Sequence, residues 1–423
     1  MSEGLLSFVV TPSSEAAEKT TARPAQHVEK QQPTLQFNLH RRKPGTPIIK
    51  VVGVGSGGMS LIDQKQMAGV STLAVGTDLR SLRSAGADMM LLLSSEGAGL
   101  AGNVHRGREL AEESVDCLRD LVSDGLQMIF IVVALGGGTG TGVAPVIARE
   151  ARRKGVLTVA VATLPFRHEG RQRIDAAMRG LEDLQHEADS VMLLNQEILL
   201  TDYADLTLSE AFARERQLVS WAIGSVVEVI NREGYINVDF NDVKAVLLAG
   251  GRAVIGTARA GGPGRITKAI NDALHSPLFL SEGEQHLRRM LFNLSYNADK
   301  TRLLVGEINE INDFLRSYNN ATWLKYGIVR NDEQLGDDIR VTIVAAEAPF
   351  AQTETDEANL QNLRENYSSL YAALYGNDQG VHRYYYRFTP STLDNDEVIA
   401  LVAQTPTFAR TAQTINTINQ ILK

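Results

Sequence analysis

Two glycine-rich runs hold the residues whose types and spacing suit contact with phosphate. The first, Gly53-Val54-Gly55-Ser56-Gly57-Gly58, fits the spacing GxGxxG and continues into Met59 and Ser60. Glycine lets backbone N–H groups approach phosphate oxygens, and the dipole of a following helix favours their negative charge. Thr77 and Asp78 follow about twenty residues later, where a dinucleotide fold carries an acidic residue. Read alone, this run serves a tight strand-to-helix turn as well as it serves a nucleotide loop. The second run narrows the choice. Gly136-Gly137-Gly138-Thr139-Gly140-Thr141-Gly142 places five glycines in seven residues, a loss of backbone entropy that a plain linker does not require. Its amides and two threonine hydroxyls can wrap a polyphosphate, and no GK[ST] follows, so it is not a Walker A loop. A third stretch, running from Gly97 through Gly99 and Gly102 to Asn103, reads alone as a flexible loop. Beside the other two it reads as a flap over phosphates.

These runs must be positioned by regular elements, and the apolar pattern supplies them. IIKVVGV from Ile48, TLAV from Thr72, MMLLL from Met89, MIFIVVAL from Met128, LTVAVAT from Leu157 and VMLLN from Val191 read as strands separated by helical segments. Strands alternating with helices predict a parallel sheet covered on both faces, with ligands at the strands' carboxyl ends. The second glycine run is expected to open a helix at Val143 to Glu150. From Leu208 to Ile230, the residues Leu208, Phe212, Leu218, Val219, Ala222, Val226 and Ile230 recur on a helical period, before a stop at Glu233 and Gly234. This predicts a buried connecting helix. RLLVGEI from Arg302, WLKYGIV from Trp323 and RVTIVAAE from Arg340 read as strands of a second, α+β domain that ends near Pro349.

The totals set outer bounds. A chain of 423 residues with 43% hydrophobic residues can fill more than one core. A net charge of -8 gives no broad attraction to nucleic acid or an anionic membrane. No stretch approaches the ~20 apolar residues that cross a bilayer, so direct membrane insertion is not expected. Cys117 is the only cysteine, and MSEGLLSFVV lacks the basic start and long apolar core of a signal peptide. A cytoplasmic protein is expected. Five of the twelve prolines fall in the first 47 residues among polar residues, a composition that reads as a tail.

GGGTGTG resembles the signature of the tubulin/FtsZ GTPase family, and the stretch from Ile48 to about Ala348 is similar to that family in order and spacing. The resemblance implies an α/β fold whose parallel-sheet GTP-binding domain, 47–206, is joined by a long central helix, 207–234, to a smaller α+β domain, 235–348. Tails at 1–46 and 349–423 would flank them. It implies GTP and GDP as ligands, Mg²⁺ as cofactor, and head-to-tail self-assembly into filaments that organise the bacterial division site. In Pro165-Phe166-Arg167-His168-Glu169-Gly170-Arg171-Gln172-Arg173, Glu169 and Arg173 match residues that hold the ribose and phosphate region. Asn195 matches a base-contacting asparagine and Phe212 the aromatic that packs on guanine; structurally they could equally be a helix cap and core. Asn237-Val238-Asp239-Phe240-Asn241-Asp242 resembles the catalytic loop, in which two carboxylates orient and polarise a water. Asp239 also suits a helix N-cap. In the family this loop lies at the end of the subunit remote from the nucleotide, so a neighbour completes the active site.

The chain departs from the family pattern at several of these positions. Ser56, Met59 and Ser60 stand where further glycines and an asparagine are usual, and Gly76 stands where an asparagine is usual. Arg216 occupies the place of the residue expected to read guanine N1 and N2, and arginine cannot accept a hydrogen bond. In the tail, Leu360, Leu363, Tyr367, Leu370 and Leu374 follow a helical spacing. DNDEVIALVAQTPTFAR, Asp394 to Arg410, is similar to the peptide with which the family binds membrane tethers and division proteins, around Pro406, Phe408 and Arg410. Two rival readings stand beside the GTPase. A dinucleotide-dependent oxidoreductase has GxGxxG and Asp78 in its favour but no use for GGGTGTG or NVDFND. A co-assembling paralogue that binds nucleotide and hydrolyses little is favoured by Ser56, Met59 and Arg216.

Overall fold

Continuous apolar runs form strands buried on both faces, and a computed structural model gives their arrangement. It describes residues 48–62, 67, 69–122, 125–197, 205–232, 234–276, 287–317, 323–330 and 335–347. The tail segments read from the sequence at 1–46 and beyond Pro349 lie outside these residues. Six parallel strands come first: β1 (Ile48–Val54), β2 (Ser71–Gly76), β3 (Met89–Leu92), β4 (Leu126–Ala134), β5 (Leu157–Leu164) and β6 (Ser190–Asn195). Their spatial order is β3-β2-β1-β4-β5-β6, and every residue of β5 and β6 is buried. Helices α1 (Gly55–Ser60), α2 (Leu79–Ser84), α3 (Val104–Glu113), α4 (Val115–Leu121), α5 (Gly138–Arg153) and α6 (Arg171–Glu187) connect them. The order reverses between β1 and β4, the place where open α/β sheets bind ligands.

A 24-residue helix, α7 (Leu208–Asn231), follows, opened by a capping box in which Thr207 and Glu210 satisfy each other's amides. Leu218, Val219, Ala222, Ile223 and Val226 turn inward to one core shared with β1, β4, β5, β6 and later strands. Beyond it come β7 (Gly234–Ile236), α8 (Phe240–Leu247), β8 (Gly251–Ala260), α9 (Arg265–Leu274), β9 (Leu287–Tyr296), α10 (Val305–Ser317), β10 (Trp323–Val329) and β11 (Ile339–Glu347). These strands extend the same sheet in the order β6-β8-β11-β9-β10-β7. The join is parallel pairing of β6 with β8, Ser190 beside Gly251 and Met192 beside Ala253. A second core, between β8–β11 and the helices α9 and α10, includes Ile266, Ile270, Phe292 and Ile311.

Two expectations need correction. Arg302–Ile308 is not a strand: residues 302–304 carry no regular structure and α10 begins at Val305. The reason lies in Glu307, whose carboxylate accepts from Leu304 N at 2.8 Å and pairs with Arg265 at 2.8 Å. A third-position carboxylate reaching back to the first amide is a helix start, and it overrides the apolar pattern. The second glycine run does not precede its helix either. α5 starts at Gly138, inside the run, rather than at Val143.

Lys50 is buried in β1, and its ammonium donates to Leu121 O at 2.6 Å. Burial pushes its pKa down from 10.5 to about 8, because low dielectric disfavours the charge. A base whose folded pKa is depressed destabilises the fold below that pKa, and the penalty fades as pH rises from about 8 to 10.5. Lys50→Met should therefore stabilise the protein at pH 7, by about 2–3 kcal/mol before the lost hydrogen bond is deducted. The gain should shrink toward pH 10. Urea unfolding at the two pH values measures this, and an equal effect at both would contradict it.

Candidate functional site

Val54 at the end of β1 sits beside Val133 of β4, and the helices that follow these strands meet at once. Gly55 has φ +71°, and a Cβ on it would stand 2.8 Å from Gly140 N. On Gly57 a Cβ would meet Ala134 Cβ at 2.5 Å, and on Gly58 it would meet Val132 O at 2.3 Å. Behind α5, a Cβ on Gly138 would come 2.8 Å from Asn103 N, and one on Gly142 2.4 Å from Val104 O. Most of these glycines thus let backbone press on backbone. Gly137 differs: its φ of −91° suits any residue, and a Cβ there would meet nothing within 4 Å.

The meeting point leaves a cavity of about 250 Å³. Gly55, Ser56 and Gly57 of α1 form one wall, and Gly137, Gly138, Thr139 and Gly140 at the start of α5 form another. Thr77, Asp78 and the third glycine run, Gly99 to Gly102, close a side; Arg173 of α6 stands at the rim, and Val54 and Ala134 make the floor. Gly137 caps α5 without a side-chain hydrogen bond, so the first turn of a 16-residue helix presents amides and its dipole to this space. Thr77 Oγ1 and Thr139 Oγ1 are bonded at 2.7 Å, and Thr141 Oγ1 accepts from Gly136 N at 2.9 Å. The third run is tied to Thr77 by Gly99 N donating to Thr77 O at 3.1 Å. Ala101 has φ +46°, a backbone that a non-glycine residue adopts only when its surroundings impose it. Asp78 caps α2, accepting from Arg80 N at 2.9 Å and Ser81 Oγ at 2.8 Å. The Arg80 amide and then the Ser81 hydroxyl hold its carboxyl below the usual range.

Twelve residues singled out from the sequence therefore line one cavity, namely Gly55, Ser56, Gly57, Thr77, Asp78, Gly99, Gly102, Gly137, Gly138, Thr139, Gly140 and Arg173. Gly58, Gly136, Thr141 and Gly142 support it from behind. Asn103 caps α3, accepting from Arg106 N at 2.9 Å. Glu169 pairs with Arg173 at 2.9 Å and accepts from Phe166 N at 2.9 Å, which sets the rim cation. Met59 is buried with Ala74 and Leu82 beneath the loop. A Cβ on Gly76 would lie 2.9 Å from Met59 Cε, so the two departures fill each other's space. Asn195 is buried, its Oδ1 accepting from Glu197 N at 3.0 Å. Phe212, expected in the apolar stripe of α7, is instead 41% exposed.

Arg216 points to Ser60, donating from Nε to its carbonyl at 2.7 Å. Its neighbour Glu215 escaped the sequence reading. It is buried, accepts from Gln196 Nε2 at 2.7 Å, and loss of solvation pushes its carboxyl above the usual range. Its spacing of three from Phe212 on α7, one helical turn, was the available signal.

Asn237, Asp239 and Asp242 line no part of the cavity. Asn237 Oδ1 accepts from Gly234 N at 2.7 Å. Asp239 and Asp242 form a capping box on α8: Asp239 Oδ1 accepts from Asp242 N at 3.0 Å and Asp242 Oδ2 from Asp239 N at 3.1 Å. Asp242 also pairs with Lys325 at 3.2 Å. The direction of α7 explains their remoteness. Arg216 touches Ser60 at the cavity end, whereas Asn231 Nδ2 lies 3.9 Å from a Cβ position on Gly69, just ahead of β2. Fifteen residues of helix carry the chain about 22 Å toward the strands' amino ends. There Ser190, the first residue of β6, donates to Leu247 O at 2.6 Å, at the end of α8.

Strand order alone is shared with dinucleotide folds, but paired glycine helices and a long connecting helix are not explained by them. Residues 48–203 match the family model described as Tubulin/FtsZ family, GTPase domain, and residues 381–422 match the one described as FtsZ, C-terminal. Fold and site thus define a tubulin-like GTPase. The chain is 33% identical over 416 residues to the cell division protein FtsZ of Porphyromonas gingivalis, covering 91% of this chain and 90% of that one. It is 35% identical to FtsZ of Pseudomonas putida, covering 73% and 78%. An empty FtsZ dimer from M. jannaschii superposes with a TM-score of 0.62 at 36% identity, over 71% of this chain and 88% of that one. CetZ2 from Haloferax volcanii, solved as a GTPγS-bound protofilament, shares the fold at 21% identity and a TM-score of 0.61, over 76% and 99%. The chain belongs to the FtsZ family of tubulin-like cell-division GTPases.

The glycine contacts separate two kinds of substitution. Gly137→Val should keep stability within about 1 kcal/mol, the scale of a changed helix cap, while lowering GTP affinity at least tenfold by narrowing the cavity. Gly140→Val places a branched side chain against Ala134 O and Val133, each 3.0 Å from its Cβ, and should lose about 2–3 kcal/mol of stability as well. Melting without nucleotide and titration with a fluorescent GTP analogue distinguish them. Equal melting of the two variants would contradict the difference in packing between the two glycines.

Proposed function

We propose that the phosphates of GTP occupy the cavity between α1 and α5, and that hydrolysis follows when the Asn237–Asp242 loop of the next subunit stacks over it. The observation that carries this reading is the separation just described: the amide cradle lies at the strands' carboxyl ends, and the paired carboxylates lie beyond the far end of α7. A subunit cannot bring its own Asp239 and Asp242 to its own cavity without dismantling its core. Two subunits stacked head to tail can. The arrangement supports a filament in which each interface is one active site and hydrolysis depends on assembly. The carboxylates would orient and polarise a water, while amides of α5 and the Arg173 guanidinium offset charge on the phosphates.

Asp78 faces the same space as the phosphates and would repel them alone. Its carboxylate with the Thr77 and Thr139 hydroxyls is a hard oxygen set that suits Mg²⁺, an ion held by one or two carboxylates together with phosphates and water. When bound it would supply neutralisation of phosphate charge. Asn195 and Phe212 would meet the guanine, and Glu169 the ribose side. Around Pro406, Phe408 and Arg410, within the matched segment 381–422, the tail would bind membrane tethers and division proteins. Among the described residues no helix is long and apolar enough to cross a membrane; the likeness to cell division proteins supports work at a cytoplasmic division site.

Turnover per molecule with GTP and Mg²⁺ should rise with protein concentration and level off as sedimentable polymer forms; constant turnover without polymer would defeat the shared site. Asp242→Ala should leave GTP binding to dilute monomer nearly unchanged and lower hydrolysis about a hundredfold. Loss of its capping bond should lower stability by about 1 kcal/mol. Mixing Asp242→Ala with Gly137→Val should restore part of the activity, because each supplies what the other lacks. Loss of GTP binding by the Asp242→Ala monomer would place the carboxylate in its own subunit's pocket and overturn the proposal.

A further inference from the structure

We propose that Arg216 is a positioning residue that holds α1 from behind the cavity and does not read the base; this rests on the reading that the cavity takes the phosphates of GTP. Arg216 Nε donates to Ser60 O at 2.7 Å across 156 residues of sequence. Ser60 Oγ in turn donates to Gly57 O at 2.7 Å, and Gly57 forms part of the cavity wall. A guanidinium on α7 is therefore linked to the phosphate wall through two hydrogen bonds.

The need for such a hold follows from the size of α1. Six residues, three of them glycine, form too short a helix to persist on their own. Its last carbonyls have no helical partner, and an arginine beside them satisfies one. With Nε committed to Ser60, the planar fork is fixed in direction, and a cation with no acceptor cannot take the N1 and N2 protons of guanine. Ser60 and Arg216, both singled out from the sequence, meet in one bond. Since α7 also leads toward the Asn237–Asp242 loop, the same bond joins the phosphate wall to the helix that precedes that loop.

The test uses the full chain with Arg216→Ala and Arg216→Lys. Hydrogen exchange without nucleotide should be about tenfold faster in peptides covering residues 55–61 of Arg216→Ala, unchanged at 138–142, and partly restored in Arg216→Lys. Titrations should then show GTP and ITP, which lacks the 2-amino group, weakened by the same factor of about three to ten, with their ratio within about twofold of wild type. Arg216→Gln, a shorter donor, replaces the alanine variant should that one melt below the assay temperature. Unchanged exchange at 55–61 would overturn the proposal, and so would loss of GTP affinity with ITP affinity retained. Failure of the wild type to bind GTP would sink the reading of the cavity, whereas the exchange result bears on the Arg216 contact alone.

Discussion

Everything at this site depends on a backbone approaching a backbone where a single methyl group would not fit. Gly55 lies against the amide of Gly140, so α1 and α5 converge as side-chain-bearing helices cannot. That convergence aims the first turns of both helices into one cavity. It also explains the glycines behind the wall, Gly58 and Gly142, which line no part of the cavity: each sets how closely a helix seats on its neighbour. The cavity is a consequence of packing, and its chemistry is that of exposed amides and hydroxyls.

α7 is the second organising element. Its inward face belongs to a core drawn from both halves of the sheet, so the glycine helices and the carboxylate loop lie toward opposite ends of one packed core. Asp239 and Asp242 have a structural occupation of their own as the cap of α8. Each holds the other's amide, so the two carboxylates are fixed within the subunit itself. Under the proposed shared site, groups held this way would need little rearrangement at an interface, the condition under which electrostatic stabilisation is most effective.

Much of this was legible in the residues. The six parallel strands and α7 were marked by apolar runs and by a helical period, and the glycine runs named most of the cavity wall. Hidden features had physical causes. β8 carries Gly, Arg and Thr among its apolar residues, and β9 carries Arg, Asn and Ser, so neither reads as a clean alternation. Arg302–Ile308 looked like a strand because its apolar run hid a local helix start, Glu307 reaching back to Leu304 N, which the distant Arg265 reinforces. The roles of Met59, Gly76, Ser60 and Arg216 were invisible because each is explained by a partner far along the chain. Departures judged singly looked like losses; in space they form two complementary pairs.

The eleven-stranded sheet ends in two very short strands, four-residue β3 on one side and three-residue β7 on the other. Exposed strand edges template pairing between molecules, and brevity is one way a fold blunts them. Two molecules lying edge to edge would find only three or four residues of backbone ladder to share, so any contact across these edges would have to rest on side chains rather than on a continued sheet.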